Sequence, residues 1–268
     1  VSRPLSAEFS LLLGFRFSTR LGKNLQILRD ATLKQNFDAC IIVDGKEGSG
    51  KSVLAQQVAA FMDVEHKIEL SQVCFRKDDV MKLALSLPKG KAIVYDEARG
   101  GLNRRRSMDD VNIELTDMLA EIRQRNLFFI FVMPSFYDMD MNVAVWRTRC
   151  LIHVFYDWNI ESSEPLVRGS FRFYSEEGKK QLYCNKYYRQ SYAYPFLNDN
   201  SFDDRFGDHY VVDKEEYIKK KAEAARYYIQ KDPYKCSECG LKALNAREDG
   251  TLRCRLGHVW SIETRADQ

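Results

Sequence analysis

The chain has 268 residues, 45% of them hydrophobic and 29% charged, with a formal net charge of +3. That length allows one large domain, or two unequal ones, with a sizeable core. So small a charge excludes any inference from whole-protein polarity to a nucleic-acid or membrane partner, and no apolar stretch approaches the roughly 18 residues that span a bilayer.

Residues 1–37 read as a lead-in without a clear pattern. Arg16, Arg20, Lys23, Arg29 and Lys34 make it basic. Its apolar run Phe9-Ser10-Leu11-Leu12-Leu13-Gly14-Phe15 is too short for a span and lacks a signal-peptide layout, so a cytoplasmic chain without membrane insertion is expected. From residue 38 the pattern changes. Asp38-Ala39-Cys40-Ile41-Ile42-Val43 reads as a buried strand, and Ser52 to Met62 is rich in helix formers. Between them Gly45-Lys46-Glu47-Gly48-Ser49-Gly50-Lys51-Ser52 fills the phosphate-binding pattern G-x-x-x-x-G-K-[ST] at every position. A strand before the loop and a helix after it separate such a site from a glycine-rich turn with an accidental Lys-Ser. Gly45, Glu47, Gly48, Ser49 and Gly50 would turn backbone N–H groups onto the phosphates of ATP, at a helix N-terminus with its partial positive charge. Lys51 would reach the β- and γ-phosphates, and the Ser52 hydroxyl would hold Mg²⁺.

Lys67-Ile68-Glu69-Leu70 and Val73-Cys74-Phe75 suggest short strands, and Asp78 to Leu87 a helix closed by Pro88 and Gly90. Lys91-Ala92-Ile93-Val94-Tyr95-Asp96-Glu97 is an apolar run ending in two carboxylates. Asp96 would hold the water shell of Mg²⁺, and Glu97 would polarise a water for in-line attack on the γ-phosphate. The alternative, a strand ending in a solvated acidic turn, loses ground beside a complete phosphate loop. The built-in base favours ATP hydrolysis over transfer to a second substrate. Arg99, Arg104, Arg105 and Arg106 come next, on a loop without an acid. They are either a solvated face or a contact for a phosphate backbone.

Asp109 to Asn126 forms an amphipathic helix, with Val111, Leu115, Met118, Leu119 and Ile122 on one face. Leu127 to Val132 and Cys150 to Tyr156 are further buried strands. Apolar strands alternating with helices predict an α/β fold with a mostly parallel central sheet. Phe171-Arg172-Phe173-Tyr174 and Gln181-Leu182-Tyr183-Cys184, on either side of Glu176-Glu177-Gly178, suggest a hairpin at the sheet edge, and residues 187–210 read as irregular. Asp213 to Gln230 is a charged helix with Asp213 as its N-cap, and Pro233 marks a boundary. The expected organisation is a lead-in over 1–37, a phosphate-loop core over 38–212, a helical linker over 213–232 and a small C-terminal unit over 233–268.

Cys40, Cys74, Cys150 and Cys184 stand singly and suit core thiols in a reducing compartment. The other three cysteines cluster. Cys236-Ser237-Glu238-Cys239 is succeeded after fourteen residues by Cys254 and His258 in a C-x3-H pair. Two close pairs of soft ligands, with an Asp249-Gly250 turn between strand-like arms, predict a zinc ribbon whose Zn²⁺ supplies its folding energy. A redox Cys-x-x-Cys pair with stray neighbours is the other reading. Lys235, Lys242, Arg247, Arg253, Arg255 and Trp260 would suit contact with nucleic acid or protein equally.

The order of parts resembles P-loop ATPases of the additional-strand, catalytic-glutamate division, and within it the FtsK–HerA motors and the zonula occludens toxin-like ATPases of viruses and plasmids. The residues that carry the likeness are Gly45 to Ser52, Ile93-Val94-Tyr95-Asp96-Glu97-Ala98, the helix ending Glu121-Ile122-Arg123-Gln124-Arg125-Asn126, and Met133-Pro134-Ser135. They span about residues 38 to 156. The resemblance implies phosphate and Mg²⁺ binding by Lys51 and Ser52, metal support by Asp96 and water activation by Glu97. It implies a polar sensor at the strand tip, where the family often has Gln and this chain offers Ser135. It implies a homo-oligomeric ring with an arginine finger from a neighbour, the candidates being Arg123, Arg125, Arg147 and Arg149. The toxin-like branch usually carries a transmembrane segment, and the lack of one here favours a soluble motor.

The first expectation is therefore a Mg²⁺-dependent ATPase that moves or packages DNA. A protein-directed assembly or export ATPase, a nucleotide-gated adaptor and a small-molecule kinase are the rivals. Glu97 and the lack of a clear lid segment count against the kinase.

Overall fold

The computed structural model describes residues 5–96, 125–157, 167–184, 191–192, 201–231, 236, 238–239, 241, 243–246 and 251–261. Glu97, the Arg104–Arg106 loop, Arg123 and most of the helix expected over 109–126 lie outside the described residues.

The lead-in carries two helices, α1 (Leu5–Leu13) and α2 (Thr19–Gln35). The Ser18 hydroxyl accepts from the Leu21 amide at 3.1 Å to cap α2, and Asn36, left-handed at φ 59°, ends it. Leu21 and Leu25, four residues apart, bury the same face of α2. Phe17 stacks on Phe61 with ring centroids 5.0 Å apart, so the lead-in shares one core with the phosphate-loop helix.

Next come β1 (Ala39–Gly45), α3 (Lys51–Met62), β2 (Val73–Cys74), α4 (Lys77–Ser86), β3 (Ala92–Tyr95), β4 (Phe128–Met133), β5 (Thr148–Asp157), β6 (Val167–Tyr174), α5 (Glu176–Cys184), β7 (Phe202–Arg205) and α6 (Lys214–Lys231). The seven strands form one sheet in the order β2-β3-β4-β1-β5-β6-β7. The first five are parallel, and β6 and β7 extend the edge as an antiparallel meander. Strand β4 stands between β1, which feeds the phosphate loop, and β3, which ends beside Asp96. Every residue of β1 and β4 is buried. Ile41, Val43, Ile130 and Val132 face the core shared with α2 and α3, while Cys40, Ile42, Phe129 and Phe131 face the core on the other side. Two covered faces explain why these strands read as continuous apolar runs.

One buried carboxylate locks α3 to β3. Asp63, just past α3, accepts from the Ala92 amide and the Gln72 side chain, each at 3.1 Å, and from the Glu65 amide at 2.9 Å. Lys91 lies 3.3 Å from Oδ1, the oxygen that also receives the Glu65 amide. The elements that carry Lys51, Ser52 and Asp96 are thus fixed relative to one another.

Three expectations are corrected. The hairpin around Glu176-Glu177-Gly178 is a strand succeeded by a helix, β6 and α5. Ser175 accepts from the Gly178 amide at 3.2 Å, Glu176 and Glu177 fill the first turn, and Lys180 reaches back to Glu176 at 2.9 Å, all of which favour a helix start. Lys67 to Leu70 is not a strand. It runs into a 3₁₀ turn at Leu70–Gln72, closed by a reciprocal Glu69–Gln72 capping box. The stretch 187–210 contains β7, paired with β6 from Phe173↔Phe202 to Ser170↔Arg205. The helix expected as a linker, α6, starts where expected, with Asp213 accepting from the Glu216 amide at 2.8 Å. Its Tyr217 joins the main core.

A separate three-stranded antiparallel sheet, order β10-β9-β8, is built from β8 (Ala243–Ala246), β9 (Thr251–Cys254) and β10 (Val259–Ser261).

Candidate functional site

The phosphate loop lies at the carboxyl edge of the parallel strands. Gly45 leaves β1 at φ 147°, and a Cβ there would collide with the Val154 carbonyl. Only glycine fits so close to a neighbouring backbone. Gly50 is left-handed at φ 96° and forms the N-cap of α3, its carbonyl accepting from the Val53 and Leu54 amides at 3.0 and 3.1 Å. The Lys51 ammonium folds over the loop and donates to the Lys46 carbonyl at 3.3 Å. Tyr156 of β5 donates its hydroxyl to the Glu47 carbonyl at 2.6 Å, bracing the outer limb. The Ser49 hydroxyl is buried without a hydrogen-bond partner among the described residues.

Asp96 follows β3 and is almost fully buried. Its amide donates to the Cys74 carbonyl at 2.9 Å, which fixes the backbone against β2. The Tyr217 hydroxyl donates to Oδ2, and Lys221 stands 3.8 Å from the same oxygen. Oδ1 is buried and has no hydrogen-bond partner among the described residues. Burial, followed by the Asp96 charge and hydrogen bond, pushes the Tyr217 phenol well above its ordinary range, so it stays protonated and donates. Ser52 stands in the first turn of α3 and Asp96 directly after β3, two elements that the Asp63 contacts hold side by side. An orphaned carboxylate oxygen and a serine hydroxyl are hard oxygen donors of the kind Mg²⁺ takes, so the residues fit that ion.

A second cluster lies behind the loop. Asp44, fully buried, accepts from His153 Nδ1 at 2.9 Å, from the Phe136 amide at 2.7 Å and from the Tyr192 hydroxyl. The His153 and Tyr192 rings stack with centroids 3.5 Å apart. Ser135, the sensor candidate, caps the 3₁₀ turn Phe136–Asp138 at the tip of β4. It thus stands on the phosphate-loop side of the sheet, directly before Phe136, whose amide donates to Asp44, the residue preceding Gly45.

The described arginine candidates lie at the opposite edge. Arg125 donates to the Leu85 carbonyl at 3.1 Å, before β4 begins. Arg149 stands at the start of β5, 3.3 Å from Glu176 and over the Phe37 ring, with Arg147 just before it.

In the C-terminal unit the ligand atoms of Cys236, Cys239, Cys254 and His258 all lie within 4.8 Å of one another. Cys236 Sγ is 3.4 Å from His258 Nδ1, and Cys239 Sγ is 3.5 Å from Cys254 Sγ. Tetrahedral Zn²⁺ with bonds of about 2.0–2.3 Å needs ligand separations of about 3.3–3.8 Å, which these two pairs meet, and three thiols with an imidazole are a donor set that suits the ion. Two backbone turns present the thiols: the Cys236 amide donates to the Leu241 carbonyl at 2.9 Å, and the Cys254 amide to the His258 carbonyl at 3.0 Å. His258 Nε2 lies 3.2 Å from Glu238, leaving Nδ1 for the metal.

Asp44, Tyr192 and Tyr217 were not singled out in the sequence. A lone acid in the apolar run before Gly45 was a usable signal for Asp44. Tyr217 had none, since a tyrosine in a charged helix carries no mark of a contact so distant in sequence.

The sheet and its strand–loop–helix unit fit a P-loop NTPase-like fold, and no described helix is long and apolar enough to cross a membrane. No protein-family model and no curated protein matches the chain. Among solved structures, the N-terminal domain of zonular occludens toxin from Neisseria meningitidis is similar at a TM-score of 0.36 and 12% identity, over 68% of this chain and 98% of that one. A likeness that slight has no bearing on function.

Proposed function

We propose that the chain is a Mg²⁺-dependent ATPase that works on DNA as a translocating or packaging motor. The observation that carries the ATPase reading is a complete phosphate loop with Lys51 over it, and at the end of β3 a buried Asp96 with one oxygen unpartnered among the described residues. Glu97, next in the chain after Asp96, is the proposed base that activates water. The DNA reading rests on Arg104, Arg105 and Arg106, which come after the acidic pair without an acid among them. In a ring, copies of that loop would touch a phosphate backbone in a central channel, and a neighbour would supply the arginine finger. Arg125, Arg147 and Arg149 suit that second task, because each stands away from its own phosphate loop. The zinc ribbon holds DNA or a protein partner at the motor.

The test is ATP turnover with and without duplex DNA, at rising salt, with particle size measured in the same buffer. Stimulation should be greatest at low salt, because lysine and arginine contacts to phosphates release counterions. Replacing all three arginines with Ala should abolish stimulation and spare basal turnover. No stimulation at low salt, and no binding by fluorescence anisotropy, would transfer the assignment to a protein-directed ATPase.

A further inference from the structure

Tyr217 reaches the nucleotide site from α6, 121 residues beyond Asp96. Its side chain is 3% exposed, and its ring lies between Phe75 at 5.7 Å and Tyr210 at 5.6 Å. Neighbouring contacts hold it there. Lys220 donates to the Leu70 and Val73 carbonyls at 2.9 and 2.7 Å. The approach to α6 is tied to α3 itself: Gln57 donates to the Gly207 and His209 carbonyls at 2.7 and 2.9 Å, and Gln56 accepts from the Val211 amide at 3.3 Å. A hydroxyl so firmly placed on Asp96 has a chemical consequence. A carboxylate that serves a metal's water shell must present one oxygen inward.

We propose that Tyr217 is a positioning residue of the metal site: its hydroxyl proton holds Asp96 Oδ2. Asp96 Oδ1, buried and without a hydrogen-bond partner among the described residues, is then left to serve the metal's water shell. The inference rests on the nucleotide-site reading and goes beyond it, because it makes a helix outside the phosphate-loop core part of the metal site. Outer partners that orient metal-binding groups are typically worth 10- to 100-fold in metal affinity.

The experiment uses the full chain and Tyr217→Phe, which removes one oxygen and keeps the ring. Binding of a fluorescent non-hydrolysable ATP analogue is measured in EDTA, and Mn²⁺ is then titrated in its presence and read by electron paramagnetic resonance. The expected result is metal-free analogue binding within about twofold of wild type and Mn²⁺ affinity lowered about 10- to 100-fold. Unchanged Mn²⁺ affinity would reduce Tyr217 to packing. Tighter Mn²⁺ binding would make its hydroxyl a plug in the metal site, which also overturns the proposal. Should Tyr217→Phe unfold, 4-aminophenylalanine at 217 keeps the ring and supplies a weaker donor, and a smaller loss of Mn²⁺ affinity is expected. A wild type that binds neither analogue nor Mn²⁺ would defeat the nucleotide-site reading itself, an outcome distinct from a wild type that binds both and a variant that matches it.

Discussion

Asp44 and His153 are direct partners across the β1–β5 pairing, and their side chains meet at 2.9 Å beneath the phosphate loop. The carboxylate also receives the Phe136 amide and the Tyr192 hydroxyl, so one side chain joins the loop strand to the tip of β4. Burial, and next the Asp44 charge, push the Tyr192 phenol far above its ordinary range, so it remains a donor. Asp44→Ala would leave these buried donors without their acceptor. The expected loss is about 3 kcal/mol or more, against about 1 kcal/mol for Tyr192→Phe, by the usual cost of orphaned buried groups. Urea denaturation of both variants checks this, and an Asp44→Ala protein as stable as wild type would show the cluster to be incidental.

Lys51→Ala removes the cation proposed to bridge the outer phosphates. Nucleotide binding or turnover should collapse while the melting temperature holds, because the bond from the lysine to the Lys46 carbonyl is exposed and contributes little to folding. Calorimetric titration with Mg²⁺ and ATP reads it directly. Turnover at the wild-type rate would remove Lys51 from the site.

Glu97→Gln keeps the size and loses the base. Retained ATP binding with hydrolysis lowered by about 100-fold or more is expected, the common scale for a general base. Asp96→Ala should instead weaken Mg²⁺-dependent binding. Equal losses of nucleotide affinity in the two variants would contradict this division of roles.

Elemental analysis should find about one Zn²⁺ per chain, as a four-ligand site implies. Cys236→Ser should lower the content and loosen the small sheet, seen as faster amide exchange in β9. A full chain that is zinc-free and equally stable in chelator would be fatal to the ribbon.

Lys179 is fully buried, and its ammonium donates to the Ala144 and Val145 carbonyls at 2.9 and 2.7 Å. Burial lowers its pKa from 10.5 to about 8. Between those values the unfolded chain holds a proton that the folded one releases, so rising pH favours the folded state. The cost of burying the charge is complete below about pH 8 and fades towards pH 10.5. Wild type should therefore gain up to about 3 kcal/mol relative to Lys179→Met across that interval. Thermal unfolding of both proteins at stepped pH checks the sign. A constant difference would mean that Lys179 does not titrate on folding.

The sheet was legible where periodicity and length agreed. β1 and β4 are buried on both faces, as is β5 over Cys150–Ile152, and such strands write themselves as unbroken apolar runs. The strand–loop–helix unit around Gly45–Ser52 and the clustering of Cys236, Cys239, Cys254 and His258 were legible because the chemistry each suggests demands fixed spacings. Glu176 to Cys184 misled because Leu182 and Tyr183 resemble a strand, whereas Ser175 and the Glu176–Lys180 pair decide for a helix. What sequence could not offer was the company each residue keeps. Tyr217 at Asp96 and His153 at Asp44 are meetings made by the fold, and no local pattern encodes them.

The place of β4 also has a consequence for how the molecule is made. β1 pairs with β4 on one side and β5 on the other, so neither of its edges can be closed by the chain between residues 46 and 127. A nascent chain released as far as β3 holds two apolar parallel strands that are not each other's neighbours. Loop-closure entropy delays such distant pairings, and open strand edges invite association with other chains. Synthesis past Asp157 is the earliest point at which both edges of β1 are satisfied. Truncations ending between β3 and β5 should be recovered as aggregates, with the aggregation seeded by the strand that later carries the phosphate loop.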